Sequence, residues 1–273
     1  MQESNQTRVV ELVLTALFCA IVVVLACTPL GFIPLVVINA TTIHIPVIIA
    51  SLYLGPKKGA FVGGVFGLTS LIRGTLIPQP SSFLFSPFVS FQMVGVPGIF
   101  ESLFIALVPR ILIGVVPYFL YKAMKKVLLS EKKKTYGTII NAIVSVIFVL
   151  GVKLFIDNLQ KGISATMALV IAIVIGVAVF ALMEYLTLKK SPKALGYISA
   201  GIAGSLTNTI LVMGSVFLFY KEPYAELCGW AGDAIVAGFL GIISFNGVIE
   251  AIVAAIIVYL VLSVLEKVRP LKN

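Results

Sequence analysis

NATTIHIPVIIASLYLGPKKGAFVGGVFGLTS, residues 39–70, decides how the rest of the chain is read. Two apolar runs flank Gly55-Pro56-Lys57-Lys58-Gly59, a turn by composition because glycine and proline supply the backbone geometry of a tight reversal. The only histidine, His44, stands with Asn39, Thr41 and Thr42 at the open end of this hairpin. The lysines stand at its closed end. Polar groups at one end and a basic turn at the other are the pattern of a membrane hairpin with a small-solute site near its mouth. Gly59, Gly63, Gly64 and Gly67 give the second run a smooth face for close helix packing.

The rest of the composition agrees. With 60% hydrophobic and 11% charged residues and a mean hydropathy of +1.12, the chain cannot hide its apolar surface in a soluble globule. A net charge of +9 would suggest a nucleic-acid partner in a soluble protein. Here the lysines cluster between apolar runs, which is the positive-inside pattern and excludes that reading. Cys19, Cys27 and Cys228 have no metal-ligand spacing, and His44 has no second histidine to join, so neither a disulfide framework nor a metal site is expected.

A span needs about 20 apolar residues, fewer where the protein shelters its ends. Runs near 9–30, 42–55, 59–74, 104–127, 137–156, 164–188, 195–220 and 246–266 make about eight spans. The second and third are too short to cross squarely alone and are expected to work as a pair held by neighbours. With a cytoplasmic N-terminus, fifteen of the 20 basic residues fall on the inner side and the C-terminus returns there. Six spans would also be allowed if one hairpin were re-entrant. Val24-Leu-Ala-Cys27 resembles a lipoprotein cleavage box, but the spans that follow favour an uncleaved first helix.

Several polar positions invite a functional reading. His44 is read either as an interfacial histidine satisfied by a backbone carbonyl or as a ligand contact in the company of Asn39, Thr41 and Thr42. Residues 75–102, with many prolines and phenylalanines and with Ser81, Ser82 and Phe85, are too apolar for a solvated linker and are expected to form a lid or to lie in the membrane interface. An arginine in a membrane helix calls for a partner. Arg110 could pair with Glu250, which follows Asn246 in the last run, or fork onto a ligand carboxylate. Thr207 and Asn208 lie on a small, hydroxyl-rich face suited to a ligand or to interhelical bonding. Tyr220 to Asp233, with Trp230, reads as an interfacial belt. Ala16 and Ala20, four apart, suit close packing of another helix, and taken bare they favour packing within the chain.

Together these residues resemble the S components, the substrate-binding subunits, of energy-coupling factor vitamin transporters. The motifs are Thr15-Ala16-Leu-Phe-Cys-Ala20, Thr42-Ile-His44-Ile-Pro46, Leu54-Gly55-Pro56-Lys-Lys-Gly59-Ala60, Gly63-Gly64-Val-Phe-Gly67-Leu-Thr-Ser70, Pro80-Ser-Ser-Phe83, Ser86-Pro87-Phe88 and Pro109-Arg110-Ile-Leu-Ile-Gly114. The likeness covers residues 8–128 well and 195–267 more loosely, and is greatest to the pantothenate-type members. It implies a single, all-α membrane domain over residues 1–273, multi-pass in a prokaryotic plasma membrane, with both termini cytoplasmic. Residues 129–194 then form a two-helix hairpin inserted into a six-helix core.

The resemblance also implies a mechanism. The chain would be no enzyme and would hold no cofactor, metal or catalytic residue. It would capture a vitamin from outside and dock on a membrane coupling subunit with two cytoplasmic ATPases, which use the ATP. Ala16 and Ala20 match the motif that contacts the coupling subunit, which reverses the packing preference above. Substrate-binding candidates are Asn39, Thr41, Thr42, His44, Ser81, Ser82, Phe85, Arg110, Asn208, Asn246 and Glu250. Pantothenate, with a carboxylate, hydroxyls and an amide, matches Arg110 and its neutral companions. Riboflavin would call for more aromatic stacking and folate for more cations.

Two other classes are weaker. An intramembrane hydrolase needs a nucleophile with a base or paired metal ligands, and one histidine with scattered Glu184 and Glu250 supplies neither. An autonomous ion-coupled transporter is expected to bury coupling acids and to show an inverted repeat, for which Glu250 alone is a thin basis. No Gly-x-x-x-x-Gly-Lys-Ser/Thr phosphate loop occurs.

Overall fold

At the centre of the bundle lies α2 (His44–Leu54), an eleven-residue helix whose residues His44 through Leu52 are all buried. Its sequence is mostly apolar, with no polar face to turn to solvent, and helical neighbours surround it. Those neighbours are α1 (Gln2–Cys27), α3 (Pro56–Leu76), α6 (Val116–Leu128), α9 (Pro192–Phe219) and α11 (Ala234–Val268). The computed structural model describes residues 2–34, 39–77, 79–128, 133–158, 163–189 and 192–268. Within them the chain is helical apart from a short antiparallel pair after α1, β1 (Phe32–Pro34) with β2 (Asn39–Thr41), in the register Phe32 to Thr41.

Seven helical stretches among the described residues are long and apolar enough to cross a membrane. They are Asn5–Cys27, Pro56–Leu76, Val96–Lys126, Lys134–Asp157, Ala165–Leu188, Lys193–Phe219 and Ala234–Val268, with α2 as a shorter apolar helix. Each apolar run read from the sequence is helical, but several boundaries move. The third run is longer than expected. Pro56 starts α3 in its first turn, where a missing N–H costs little, and the helix continues to Leu76.

The stretch expected to be a long loop, 75–102, is largely helical. Ser82–Leu84 form a 3-10 turn, α4 (Pro87–Val94) follows, and α5 (Val96–Ile113) begins after Gly95 at φ 76°. Ser86 caps α4, its hydroxyl accepting from the Val89 N–H, and Pro87 and Pro97 sit in first turns of helices. Prolines that look like loop residues are here helix starters. The segment does fold onto the bundle, since Phe83 and Leu84 are buried, while Phe88 and Phe91 stay exposed.

Of residues 220–233, read from the sequence as an interfacial belt, the first is in the core and most of the others are exposed or half-buried. Tyr220 is fully buried. Its hydroxyl bonds Ser90 of α4 and donates to the Gly98 carbonyl of α5 at 3.2 Å, so it ties two elements together. Trp230 follows α10 (Lys221–Cys228) and packs edge-on against Tyr224 and Phe239. The last helix starts earlier than expected because Ala234–Phe245 continue the apolar run that the sequence reading broke.

Close approach between α3 and α5 fixes the position of the site. A Cβ on Gly63 would collide with the Arg110 carbonyl oxygen, one on Gly67 would lie 2.7 Å from the Ala106 oxygen, and Gly59 sits against Gly114. These three glycines form the packing face expected of them, whereas Gly64 faces open space. Between α5 and α6 the helix breaks at Gly114–Val115.

Helices α7 (Lys133–Asn158) and α8 (Ala165–Lys189) pack on each other, and α7 also packs on α11. Their few polar groups stitch the pair. Thr138 and Asn141 donate to the Glu184 carboxylate at 2.7 and 2.8 Å, and Ser145 donates to the Gly176 carbonyl at 2.7 Å. At the end of the bundle bearing the basic turn, Glu11 pairs with Lys58 and Glu266 with Lys193.

Candidate substrate-binding site

A cavity of about 740 Å³ opens at the end of the bundle remote from the Gly55–Gly59 turn. The C-terminal end of α1, the second half of α3, β2, the 3-10 turn before α4, and α5, α9 and α11 contribute to its walls. Its volume is within the usual range for small-molecule sites.

Arg110 is one of three charged side chains in the wall, with Arg73 and Glu250. It belongs to the last turn of α5 and is 7% exposed. One terminal nitrogen donates to the Ile105 carbonyl at 2.6 Å, while Nε has no hydrogen-bond partner among the described residues. The guanidinium carbon lies 5.3 Å from the Phe66 ring centre and 5.0 Å from that of Phe85. Two aromatic faces thus hold the cation in place without neutralising it. Among the described residues Arg110 has no carboxylate within ion-pair distance, so the Arg110–Glu250 bridge considered from the sequence does not form here.

Glu250 instead is 3% exposed and accepts three hydrogen bonds from neutral groups. The Thr41 backbone N–H and hydroxyl both donate to Oε1, at 2.7 and 2.8 Å, and the Thr209 hydroxyl donates to Oε2 at 3.1 Å. The carboxylate therefore pins β2 to α11 and α9. Asn208 and Asn246 also line the cavity, each with a side-chain oxygen that has no hydrogen-bond partner among the described residues. Buried polar atoms without partners are rare in folded proteins and mark places where a ligand or water completes the bonding.

Thr41, Ser81, Ser82, Phe85, Arg110, Asn208, Asn246 and Glu250 are thus brought to one cavity. Other candidates lie elsewhere. His44 is fully buried in α2, away from the lining, and among the described residues neither ring nitrogen has a hydrogen-bond partner. Thr42 spends its hydroxyl on the Leu30 carbonyl at 2.8 Å. Thr207 bonds back to Ala203 in its own helix. The Asn39 side chain lies outside the described residues, although its backbone pairs in β2. Ala16 and Ala20 are exposed on α1.

Sequence reasoning missed part of the wall. Phe66, Thr69, Ser70 and Arg73 line it from α3, with Thr209 from α9 and Tyr224 from α10. The signal was present in α3, because residues 66, 69, 70 and 73 recur at three and four and so share a face that borders on that of the glycines. Arg73 donates to the Ala26 carbonyl at the end of α1 at 2.9 Å. A second guanidinium therefore faces the same cavity.

An all-helical, multi-pass membrane protein with a small-solute cavity at one end is the class that this fold and site define. The chain belongs to the ECF transporter, substrate-specific component family, whose model matches residues 10–188. It is 34% identical over 233 residues, 85% of this chain and 80% of the relative, to the pantothenic acid transporter PanT of Lactococcus lactis subsp. cremoris. To the pantothenate transporter PanT of Leuconostoc mesenteroides subsp. mesenteroides it is 35% identical over 118 residues, 41% of this chain and 50% of that protein. Family and fold place it in the cell membrane.

Proposed function

We propose that this chain captures pantothenate from outside the cell and delivers it inward together with a membrane coupling subunit and two ATPases. The observation that carries the reading is Arg110, a guanidinium in a cavity wall, flanked by two phenylalanine rings and, among the described residues, in no ion pair with a carboxylate. A desolvated cation so placed favours a ligand carboxylate, which guanidinium binds by paired hydrogen bonds. Thr41, Ser81, Ser82, Asn208, Asn246 and Glu250 then serve the hydroxyls and amide of the same ligand, and Phe85 covers its carboxylate end. Both named relatives are pantothenate transporters, which supports this substrate over riboflavin or folate.

In this reading the chain is a binding subunit without enzymatic activity or cofactor, and ATP is used by its partners. The exposed Ala16–Ala20 face of α1 is the docking surface for the coupling subunit, because small residues allow a partner helix to approach closely. Helices α7 and α8 are an addition between core helices. The test is a titration of the purified full chain with pantothenate, without ATP or an ion gradient. Saturable binding at micromolar or lower concentration is expected. A folded chain that binds riboflavin or folate but ignores pantothenate would overturn the assignment.

A further inference from the structure

We infer that Glu250 sets the specificity of the cavity by charge, restricting it to ligands with one anionic end and a neutral, hydrogen-bond-donating far end. The inference rests on the reading of Arg110 as a carboxylate seat and adds to it the selection against a second anion.

Arg110 stands on α5 and Glu250 on α11, and α9 packs against both helices while presenting Asn208 and Thr209 to the same cavity. Arg110 and Glu250 line the cavity together with Arg73, and among the described residues Arg110 and Glu250 form no ion pair with each other. Three donors hold the Glu250 carboxylate, two from Thr41 and one from Thr209. It cannot swing away from a ligand without giving up those bonds. All three donors are neutral, so they fix its direction without cancelling its charge.

A carboxylate offers about four lone-pair sites, and three are used here, which leaves acceptor capacity for a ligand hydroxyl or amide N–H. In the inferred pose the anionic end of the ligand sits on Arg110, its body passes Asn208, and its far end meets that acceptor. A hydroxyl there is satisfied. A second carboxylate there meets a fixed like charge in a poorly solvated setting, where repulsion is far stronger than in water. Discrimination thus comes from a repulsive element built against the wrong ligand.

The test uses the purified full chain and three ligands. They are pantothenate, an analogue whose terminal hydroxymethyl group is replaced by a carboxylate, and the carboxamide of the same size. Wild type should bind the carboxamide at least tenfold more tightly than the dianion, a difference of about 1.4 kcal/mol. Glu250→Gln keeps an acceptor oxygen for Thr41, and in it that preference should shrink at least tenfold. A wild-type preference below tenfold, or one that E250Q leaves in place, overturns the inference. The wild-type comparison decides by itself if E250Q does not fold. A folded wild type that binds none of the three removes the carboxylate-seat reading, a failure distinct from loss of discrimination.

Discussion

Thr41 and Glu250 lie 209 residues apart and are joined twice, the Thr41 backbone N–H and hydroxyl both reaching Oε1 of the carboxylate. This double bond fastens the β1–β2 hairpin to the last helix at the cavity wall. The order of the hairpin and the shape of the site are therefore one property. Thr41→Val keeps the backbone bond and removes the hydroxyl bond. A hydrogen bond to a charged group contributes about 1.5–3 kcal/mol. Pantothenate affinity in T41V should accordingly fall by roughly tenfold or more, measured by calorimetry on the purified chain. Unchanged affinity would separate the hairpin from the site.

Arg110 gives the sharpest separation between a ligand role and a structural one. Truncating one partner of a buried, hydrogen-bonded charge pair costs about 2–5 kcal/mol. Arg110→Ala should therefore weaken pantothenate binding by roughly 30-fold or more. The uncharged primary amide of pantothenate, which never had a full charge to place on the guanidinium, should lose much less. Equal losses for acid and amide would mean that Arg110 organises the Phe66–Phe85 wall rather than holding the ligand.

Gly63 and Gly64 are neighbours with opposite demands. A Cβ at Gly63 would strike the Arg110 carbonyl oxygen of α5, while nothing lies within 4 Å of one at Gly64. Overpacking costs about 1–3 kcal/mol, so Gly63→Ala should lower the thermal midpoint in detergent and weaken ligand binding as α3 and α5 are pushed apart. Gly64→Ala should leave both near wild type. Similar behaviour of the two variants would remove the link between helix packing and the position of Arg110.

That link shows why some features were legible in the sequence and others were not. Apolar runs separated by lysine clusters give the helices, because the bilayer imposes length and orientation on each run locally. Boundaries failed at Pro87 and Pro97, where the same residue type that breaks a helix interior also starts one. Arg110 and Asn208 could be picked out because each is costly in an apolar run. Arg73 could not, since near the end of its helix a charge needs no special excuse. The Thr209–Glu250 bond joins residues 41 apart on different helices, a relation that no local spacing encodes. For His44, polar neighbours suggested an interfacial or ligand-facing ring, whereas α2 takes the ring into the core, a placement set by helices distant in sequence.

The surface that carries the proposed partnership lies on α1. Ala16 and Ala20 are exposed, and so are Leu12, Val13 and Leu17 around them, so this face of the helix is not spent on packing within the chain. Removing a smooth contact should therefore spare what the chain does alone. Ala16→Trp places a large ring where close helix approach is needed. Pantothenate binding by the purified A16W chain should match wild type. Uptake by cells and co-purification with a co-expressed coupling subunit and ATPases should both be abolished. Loss of binding in the isolated variant would instead make the alanine face part of the chain's own packing. Full uptake with A16W would move the docking surface to another helix.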